Sequence, residues 1–319
     1  MRLWGITMVR NEADVIEAFV RHNLAVLDGV AIVDHDSIDA TPEILSRLCA
    51  EGLALHVERF ADPAYRQSEI MTSLARRTLA ERDADFVFAL DADEFLKVSS
   101  RPALESVLGQ VPPGLHGALE WLTYVPDQFP EPGVSFGGAQ LQRRLKTEPH
   151  GLFKVVVGRS LLERPRDVIA VGNHCVQDPA AAPQMHAILH RDVAAVAHCP
   201  VRSRAQLEGK IIVGYLAHLA ARPSDRRLAN HWRELYADLR DGATLTDALL
   251  REIACNYGAS RNAWRPAADV ELVDDPVRFA SEQRYRRDAL PDPLRMLMHF
   301  TERLIESTTA TNGAPPNPG

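Results

Sequence analysis

The sequence of 319 residues has no apolar run that approaches the roughly 20 residues a membrane-spanning helix needs. Residues 1–9 are too short an apolar run before Arg10, Asn11 and Glu12 to be a signal peptide. There is no internal repeat and no excess of basic charge, because the net charge is −7 and the pI is near 6.0. These absences argue against an integral membrane protein and against a general nucleic-acid binder. They leave at most peripheral membrane contact.

Cysteine is scarce and scattered. The four cysteines form no C-x-x-C pair and are Cys49, Cys175, Cys199 and Cys255. This usage argues against a zinc site or a disulfide framework and predicts reduced thiols in a cytoplasmic protein. The hydrophobic content of 46% and the charged content of 25% are typical of a globular chain with a sizeable core.

The most informative stretch is FVFALDADEF, residues 86–95. Five apolar residues, enough for one buried strand, lead directly into Asp91, Asp93 and Glu94. Open α/β sheets bind ligands at the carboxyl ends of such strands. Clustered carboxylates at this place suit Mg²⁺ or Mn²⁺ that holds substrate phosphates. A solvated loop after a core strand is the alternative interpretation.

Strands and helices alternate along the first hundred residues, with about 25 to 30 residues in each unit. The alternation predicts a parallel sheet with right-handed crossovers. Acidic clusters follow three of its strands and would together form a pocket for a cation and a polar ligand. The predicted strands are residues 3–9, 30–33, 53–57 and 86–90, and the predicted helices are residues 15–27, 43–50 and 67–82.

Three motifs resemble those of family 2 glycosyltransferases of the GT-A fold. They are RNE at residues 10–12, DHDSIDAT at residues 34–41 and LDADEF at residues 90–95, and they occur in the order and spacing of that family. The likeness is to the bacterial branch whose metal motif reads D-x-D-E-F. It implies an α/β, GT-A (Rossmann-like) mixed sheet, a nucleoside diphosphate sugar donor with a UDP-sugar favoured, and Mn²⁺ or Mg²⁺ on the diphosphate. It also implies inversion at the anomeric carbon during transfer to an acceptor hydroxyl.

The same resemblance implies roles for individual residues. Asp91 would lie near the ribose and the metal, and Asp93 would bind the metal. The choice between Asp34 and Asp36 as the base contact stays open, because His35 and Asp36 depart from the commoner motif. The remaining donor-site residues are Arg10 and Glu12 near the nucleoside and Arg66 as a phosphate-neutralising cation.

A strand at residues 117–125, followed by a loop rich in proline and glycine, is expected on the acceptor side of the site. An inverting transferase needs a carboxylate that accepts the proton of the acceptor hydroxyl. Glu120 and Asp127 are the nearest candidates in sequence, while Asp178 and Asp192 are more distant ones. Trp121 is either a residue that stacks on a sugar or a residue of the apolar core.

The segment HCPVRSRAQ, residues 198–206, contains the capping box Ser203-x-x-Gln206, which predicts a helix from Ser203 towards Pro223. A basic helix start is a favourable anion site. Arg202, Ser203 and Lys210 are therefore candidate diphosphate contacts. The resemblance makes His198 the third metal ligand, with His174 and His190 as competitors.

The predicted organisation is a GT-A-like catalytic domain over residues 1–200, a helical C-terminal extension over residues 201–306 and a disordered tail over residues 307–319. The acceptor, whether a glycan, a lipid-linked or a small molecule, and a homo-oligomeric state stay open. A non-catalytic nucleotide- or glycan-binding protein on the same fold is the main alternative. A nucleotidyltransferase is less favoured, since it would usually carry a glycine-rich loop with Arg and Lys after the first strand.

Overall fold

The computed structural model describes residues 1–130, 136–137, 140–181, 184–221, 230–279, 282–285 and 292–312. The strands in these residues are β1 (Leu3–Val9), β2 (Gly29–Asp34), β3 (Leu55–Arg59), β4 (Phe86–Ala89), β5 (Glu94–Val98), β6 (Gly117–Thr123), β7 (Arg143–Leu145), β8 (Phe153–Gly158), β9 (Val168–Ile169), β10 (Val176–Gln177), β11 (Ala187–Ile188), β12 (Ala194–His198) and β13 (Leu272–Asp274). The helices are α1 (Ile16–Leu24), α2 (Thr41–Ala50), α3 (Gln67–Glu81), α4 (Arg101–Leu108), α5 (Ser160–Glu163), α6 (Arg204–Ala220), α7 (Asn230–Arg240), α8 (Asp247–Cys255) and α9 (Pro293–Asn312).

One mixed sheet organises this part of the chain, in the order β3-β2-β1-β4-β8-β6-β12-β5, with β11 beside β6. Strands β3, β2, β1 and β4 are parallel, as the alternation of strands and helices predicts. Strand β8 runs antiparallel to both β4 and β6, and β5 runs antiparallel to β12. The predicted α/β mixed-sheet fold is confirmed. The carboxyl ends of β1, β2 and β4 consequently meet at one edge.

Both faces of the sheet are covered by apolar clusters. Side chains of a strand alternate between faces, so Leu3 and Val9 of β1 pack in the cluster that includes Phe19 of α1. Ile6, on the opposite face, packs in the cluster that includes Leu74 of α3. This double coverage explains the continuous apolar runs of the central strands.

The C-terminal part departs from the prediction in two places. Strand β13 pairs with β7 of the preceding region, so this part is not purely helical. Residues 307–312, predicted as disordered, continue α9. Side-chain hydroxyls in this segment hydrogen-bond to carbonyls of the preceding turn of the helix. Ser307 donates to the carbonyl of Leu304, and Thr308 donates to that of Ile305. Residues 313–319 of the predicted tail lie outside the described residues.

None of the helices in the described ranges combines the length and the apolar character required to cross a bilayer.

A buried histidine directly before β6 gives the fold an expected pH dependence. His116 is 1% exposed and its Nδ1 accepts a hydrogen bond from the Gly158 N–H at 3.1 Å. Burial, with a smaller contribution from His186, lowers the pKa of His116 from 6.5 to about 4. Between pH 6.5 and pH 4 the unfolded state therefore binds a proton at this histidine more readily than the folded state does. The contribution of His116 to the free energy of unfolding is expected to fall by about 2 to 3 kcal/mol as pH drops through this range.

The variant His116→Asn keeps an acceptor for the Gly158 N–H but cannot titrate. Urea unfolding of both proteins at pH 7 and pH 5 measures the difference. The variant is expected to lose less stability on acidification than the wild type, and equal losses would show that His116 does not contribute.

Candidate functional site

A cavity of about 380 Å³ lies where the carboxyl ends of β1, β2 and β4 face helix α6. Its volume is within the range of roughly 300 to 1,000 Å³ that is usual for small-molecule sites. The structure brings six of the predicted site residues to its walls, namely Arg10, Glu12, Asp91, Asp93, His198 and Lys210. Other lining residues include His35, Tyr65, Gln67, Trp121, Lys154, His174, Gly214, Trp232, Tyr257 and Met296.

The turns after β1 and β2 are held together by hydrogen bonds between them. Asn11 and Asp36 both adopt left-handed backbone, with φ of 58° and 59°, which Asn and Asp tolerate better than other residues with a side chain. The Asn11 N–H donates to Ser37 Oγ at 2.9 Å, and the Glu12 N–H donates to Thr41 Oγ1 at 2.9 Å. The first turn contributes Arg10, Asn11 and Glu12 to the cavity lining, and the second turn contributes His35.

The carboxylates of the second motif have structural partners. Asp34 is buried and accepts a hydrogen bond from the Ser37 N–H at 3.2 Å, and burial raises its pKa. Burial opposes ionisation of Asp36, but its hydrogen bonds to Arg59 and His299 lower its pKa. Neither carboxylate lines the cavity, whereas His35 between them does. The partners of Asp36 are the guanidinium groups of Arg59 at 2.6 Å and Arg303 at 3.1 Å and the imidazole of His299 at 3.2 Å.

Asp91 follows β4 and is surrounded by donors. Its Oδ2 accepts from Lys154 Nζ at 2.6 Å, and its Oδ1 accepts from Asn173 Nδ2 at 3.0 Å and from Gln67 Nε2 at 3.2 Å. Lys154 also donates to the Gly172 carbonyl at 2.9 Å. Gly172 and Asn173 both have left-handed backbone and form a turn beside β8, the strand that contains Lys154. Each oxygen of Asp91 thus has at least one N–H donor.

Glu94 is fully buried behind the two aspartates. Its Oε2 accepts from the Asp91 N–H at 2.9 Å, and its Oε1 lies 2.8 Å from Lys154 Nζ. Burial raises the pKa of Glu94 to about 8, although Lys154 opposes this shift. Glu94 therefore holds the backbone of the Asp91 turn through the Asp91 N–H and does not line the cavity.

Asp93 is 2% exposed and lies beside three nitrogen-bearing side chains. Its Oδ2 is 2.7 Å from Lys210 Nζ and 3.4 Å from Arg202 Nη1, and its Oδ1 is 3.7 Å from His198 Nε2. Burial opposes ionisation, but Lys210 and the other neighbours hold the pKa of Asp93 below its ordinary value. Burial also lowers the pKa of His198, so its imidazole is neutral.

Two predicted diphosphate contacts have other roles. Arg202 is 1% exposed and does not line the cavity, since its guanidinium is used by Glu12, Asp14 and Asp93. Ser203 caps α6, as predicted, by accepting from the Gln206 N–H at 3.2 Å. The side of α6, and not its amino terminus, therefore faces the cavity.

Glu12 joins the first turn to Arg202. It is largely buried, and its Oε2 accepts from Arg202 Nη2. Burial raises the pKa of Glu12 to about 7, against the opposing charges of Arg202 and Lys210. Glu12 is therefore a cavity-lining carboxyl that exchanges its proton near neutral pH.

The structure does not bring three other predicted residues to the cavity. Glu120 forms an ion pair with Arg191 at 2.9 Å. Side chains alternate between the two faces of the sheet along β6, so Trp121 lines the cavity and Glu120 does not. Asp127 is half exposed and forms an ion pair with Arg143, and Arg66 pairs with its sequence neighbours.

Aromatic rings form one wall of the cavity. The ring of Trp121 lies 4.3 Å from that of His198 and 5.4 Å from that of His174, measured between centroids. Lys154 Nζ lies 5.5 Å from the Trp121 ring centroid. This arrangement places aromatic ring faces beside charged groups, which suits a ligand with both apolar and charged surface.

The predicted ligands Asp91, Asp93 and His198 do not fit a metal centre in this structure. Within the described ranges, no group of three His, Cys, Asp or Glu side chains is arranged to hold a metal ion. Metal ligands need free oxygen or nitrogen lone pairs. Here both aspartates direct oxygens at lysine ammonium groups, at 2.6 Å from Lys154 and 2.7 Å from Lys210.

Sequence reasoning missed the cavity residues Lys154 and Gln67 and the buried Asn173, which donates to Asp91. Lys154 within the otherwise apolar run LFKVVV, residues 152–157, is a signal, since lysine is rarely buried unless it is paired. Gln67 and Asn173 have no comparable signal, because an amide is common both at helix starts and in turns.

The glycines of α6 that face the cavity lead to an expected ranking of stabilities. A Cβ at Gly214 would lie 1.8 Å from the Trp232 ring, whereas a Cβ at Gly209 would meet the flexible end of Met296 at 2.4 Å. Gly to Ala inside a helix normally stabilises by about 0.5 to 1 kcal/mol, and overpacking costs about 1 to 3 kcal/mol. Gly214→Ala is therefore expected to destabilise the protein and to be less stable than Gly209→Ala. Urea unfolding of both variants measures the order, and the reverse order would contradict it.

No family model matches this sequence, and no curated protein matches it. Among solved structures, it is similar to residues 1–349 of TarS from S. aureus, with 12% identity, a TM-score of 0.39 and coverage of 69% of this chain and 65% of that one. It is also similar to the mannosyltransferase PcManGT from Pyrobaculum calidifontis, solved with GDP-Man and Mn²⁺, with 16% identity, a TM-score of 0.39 and coverage of 99% and 76%. Glucosyl-3-phosphoglycerate synthase from Mycobacterium tuberculosis matches 38% of this chain and 43% of its own, with 19% identity and a TM-score of 0.25. These low TM-scores leave the function to be inferred from the residues of the cavity.

Proposed function

We propose that this chain is a nucleotide-dependent transferase whose cavity binds a nucleoside diphosphate. The observation that carries the proposal is that Asp91 and Asp93, at the carboxyl end of β4, line the cavity together with Lys210, whose Nζ lies 2.7 Å from Asp93 Oδ2. A diphosphate needs cations for its charge, and Arg10 and Lys210 both line the cavity. As the resemblance implies, Asp91 would lie near the ribose.

Within this class, we assign the chain to glycosyltransferases that use a nucleoside diphosphate sugar. The motifs at residues 10–12, 34–41 and 90–95, which resemble those of family 2 enzymes, surround the cavity. The aromatic wall of Trp121 and His174 offers a surface on which a sugar or nucleobase ring can pack. Transfer with inversion, a UDP donor and the nature of the acceptor stay predictions from the resemblance, whereas the metal dependence that it also implies is not supported by the lysine contacts of Asp91 and Asp93.

Calorimetric titration with UDP, GDP, CDP and dTDP tests the proposal. One diphosphate is expected to bind, and Asp93→Asn is expected to weaken that binding by about 10- to 100-fold, because one charge-assisted interaction is lost. The control is Asp127→Asn, which alters an exposed carboxylate outside the cavity. Circular dichroism verifies that both variants fold. If none of the four diphosphates binds the wild type, the proposal is wrong.

A non-catalytic nucleotide- or glycan-binding protein is a second candidate function. One specific observation favours it, namely that neither Glu120 nor Asp127, the predicted bases, lies at the cavity. Hydrolysis of the donor sugar by the wild type, lost in Asp93→Asn, would exclude a purely binding role. Tight binding without any turnover would support it.

A further inference from the structure

The two aspartates of the D-x-D motif carry cationic partners from the protein itself. Lys154 approaches Asp91 from β8, and Lys210 approaches Asp93 from α6. A divalent cation normally neutralises such carboxylates and the phosphates they serve. In this cavity the ammonium groups of Lys154 and Lys210 supply positive charge beside the two carboxylates.

The partners of Asp91 leave little room for a metal. Oδ1 accepts hydrogen bonds from two side-chain amides and Oδ2 accepts one from Lys154. Lys154 donates to Asp91 and to the Gly172 carbonyl, at 2.6 and 2.9 Å, and its Nζ lies 2.8 Å from Glu94 Oε1. Because three protein oxygens surround its ammonium, Lys154 positions Asp91 and is not the group that we assign to a phosphate.

Lys210 has a different environment. It lines the cavity, and within the described part of the chain its hydrogen bond is to Asp93 alone. Its ammonium lies 5.9 Å from the centroid of the Tyr257 ring. An ammonium has three donors, so two of them can serve a ligand. Asp93 and the Tyr257 face hold the group in place while those donors remain available.

We propose that Lys210 replaces the divalent cation in this site, so that a nucleoside diphosphate binds through the lysine ammonium without a metal ion. This inference rests on the proposed function. It assigns Asp93 the role of orienting Lys210, not that of ligating a metal. A lysine can take this role because it supplies both positive charge and hydrogen-bond donors to phosphate oxygens.

The test is the titration of wild-type protein with UDP, GDP, CDP and dTDP, in EDTA and again in Mn²⁺. The expected result is that the diphosphate that binds has the same Kd, within about twofold, in both conditions. Binding that requires Mn²⁺ overturns this inference and leaves the proposed function standing. If no diphosphate binds in either condition, the proposed function fails, and this inference fails with it.

Variants at Lys210 provide an independent check. Lys210→Met is expected to weaken diphosphate binding in EDTA by about 10- to 100-fold, whereas Lys210→Arg, which keeps the charge, is expected to retain most of the affinity. Lys146→Met is the matched control, since Lys146 is exposed and pairs with Glu271 outside the cavity. Unchanged affinity in folded Lys210→Met would also overturn the inference.

Discussion

Replacement of Arg202 by methionine is expected to destabilise the protein by about 3 to 5 kcal/mol, because it leaves several buried carboxylates without their cation. Arg202 Nε and Nη2 bind both oxygens of Asp14, at 2.6 and 3.0 Å, and the guanidinium also contacts Glu12 and Asp93. Methionine fills similar volume without charge. Urea unfolding measures the loss.

Arg204→Met is the matched control for Arg202→Met. Arg204 is two residues away, about half exposed, and lies 3.7 Å from Asp247. Exposed ion pairs contribute roughly 0 to 1 kcal/mol, so this variant is expected to retain nearly all of the stability. Equal effects of the two substitutions would show that the buried network is not the cause.

Replacement of Lys154 by methionine is the second change with a large expected effect, a loss of about 3 kcal/mol of stability. Lys154 is 1% exposed and holds Asp91 and Glu94 together. Although burial penalises its charge, the two carboxylates raise the pKa of Lys154. The variant is also expected to weaken diphosphate binding, because Asp91 loses the group that orients it.

A double variant separates charge from packing at Lys154. Glu94→Gln removes the ionisable carboxyl beside Lys154 and keeps an amide oxygen that can accept from the Asp91 N–H. Lys154→Met combined with Glu94→Gln is therefore expected to be more stable than the sum of the single changes predicts, by about 1 kcal/mol or more. Strict additivity, measured by urea unfolding of all four proteins, would contradict an electrostatic origin.

The sequence predicts well those parts of the site whose signal is local. The apolar run before Asp91 predicts strand β4, and the capping box predicts the start of α6 at Ser203, which the structure confirms. Both depend on residues within a few positions of each other. The cavity therefore lies at the sheet edge that strand order alone suggests.

Partners distant in sequence could not be predicted. Arg202 and Asp14 are 188 residues apart, and His299 and Asp36 are 263 residues apart. Their pairing depends on how α6 and α9 pack over the sheet edge, which no local pattern records. The exclusion of Glu120 has the same origin, since a shift of one residue in the register of β6 reverses the faces of Glu120 and Trp121.

The residues that line the cavity are far apart in the sequence, since they include Met8 of β1 and Met296 of α9. Translation produces β1 and the motif aspartates before α9, so a nascent chain carries these residues before Met296 is made. Contacts of such large sequence separation also form slowly. A nascent chain that does not yet include α9 therefore has the motif aspartates without the part of the cavity wall that Met296 provides.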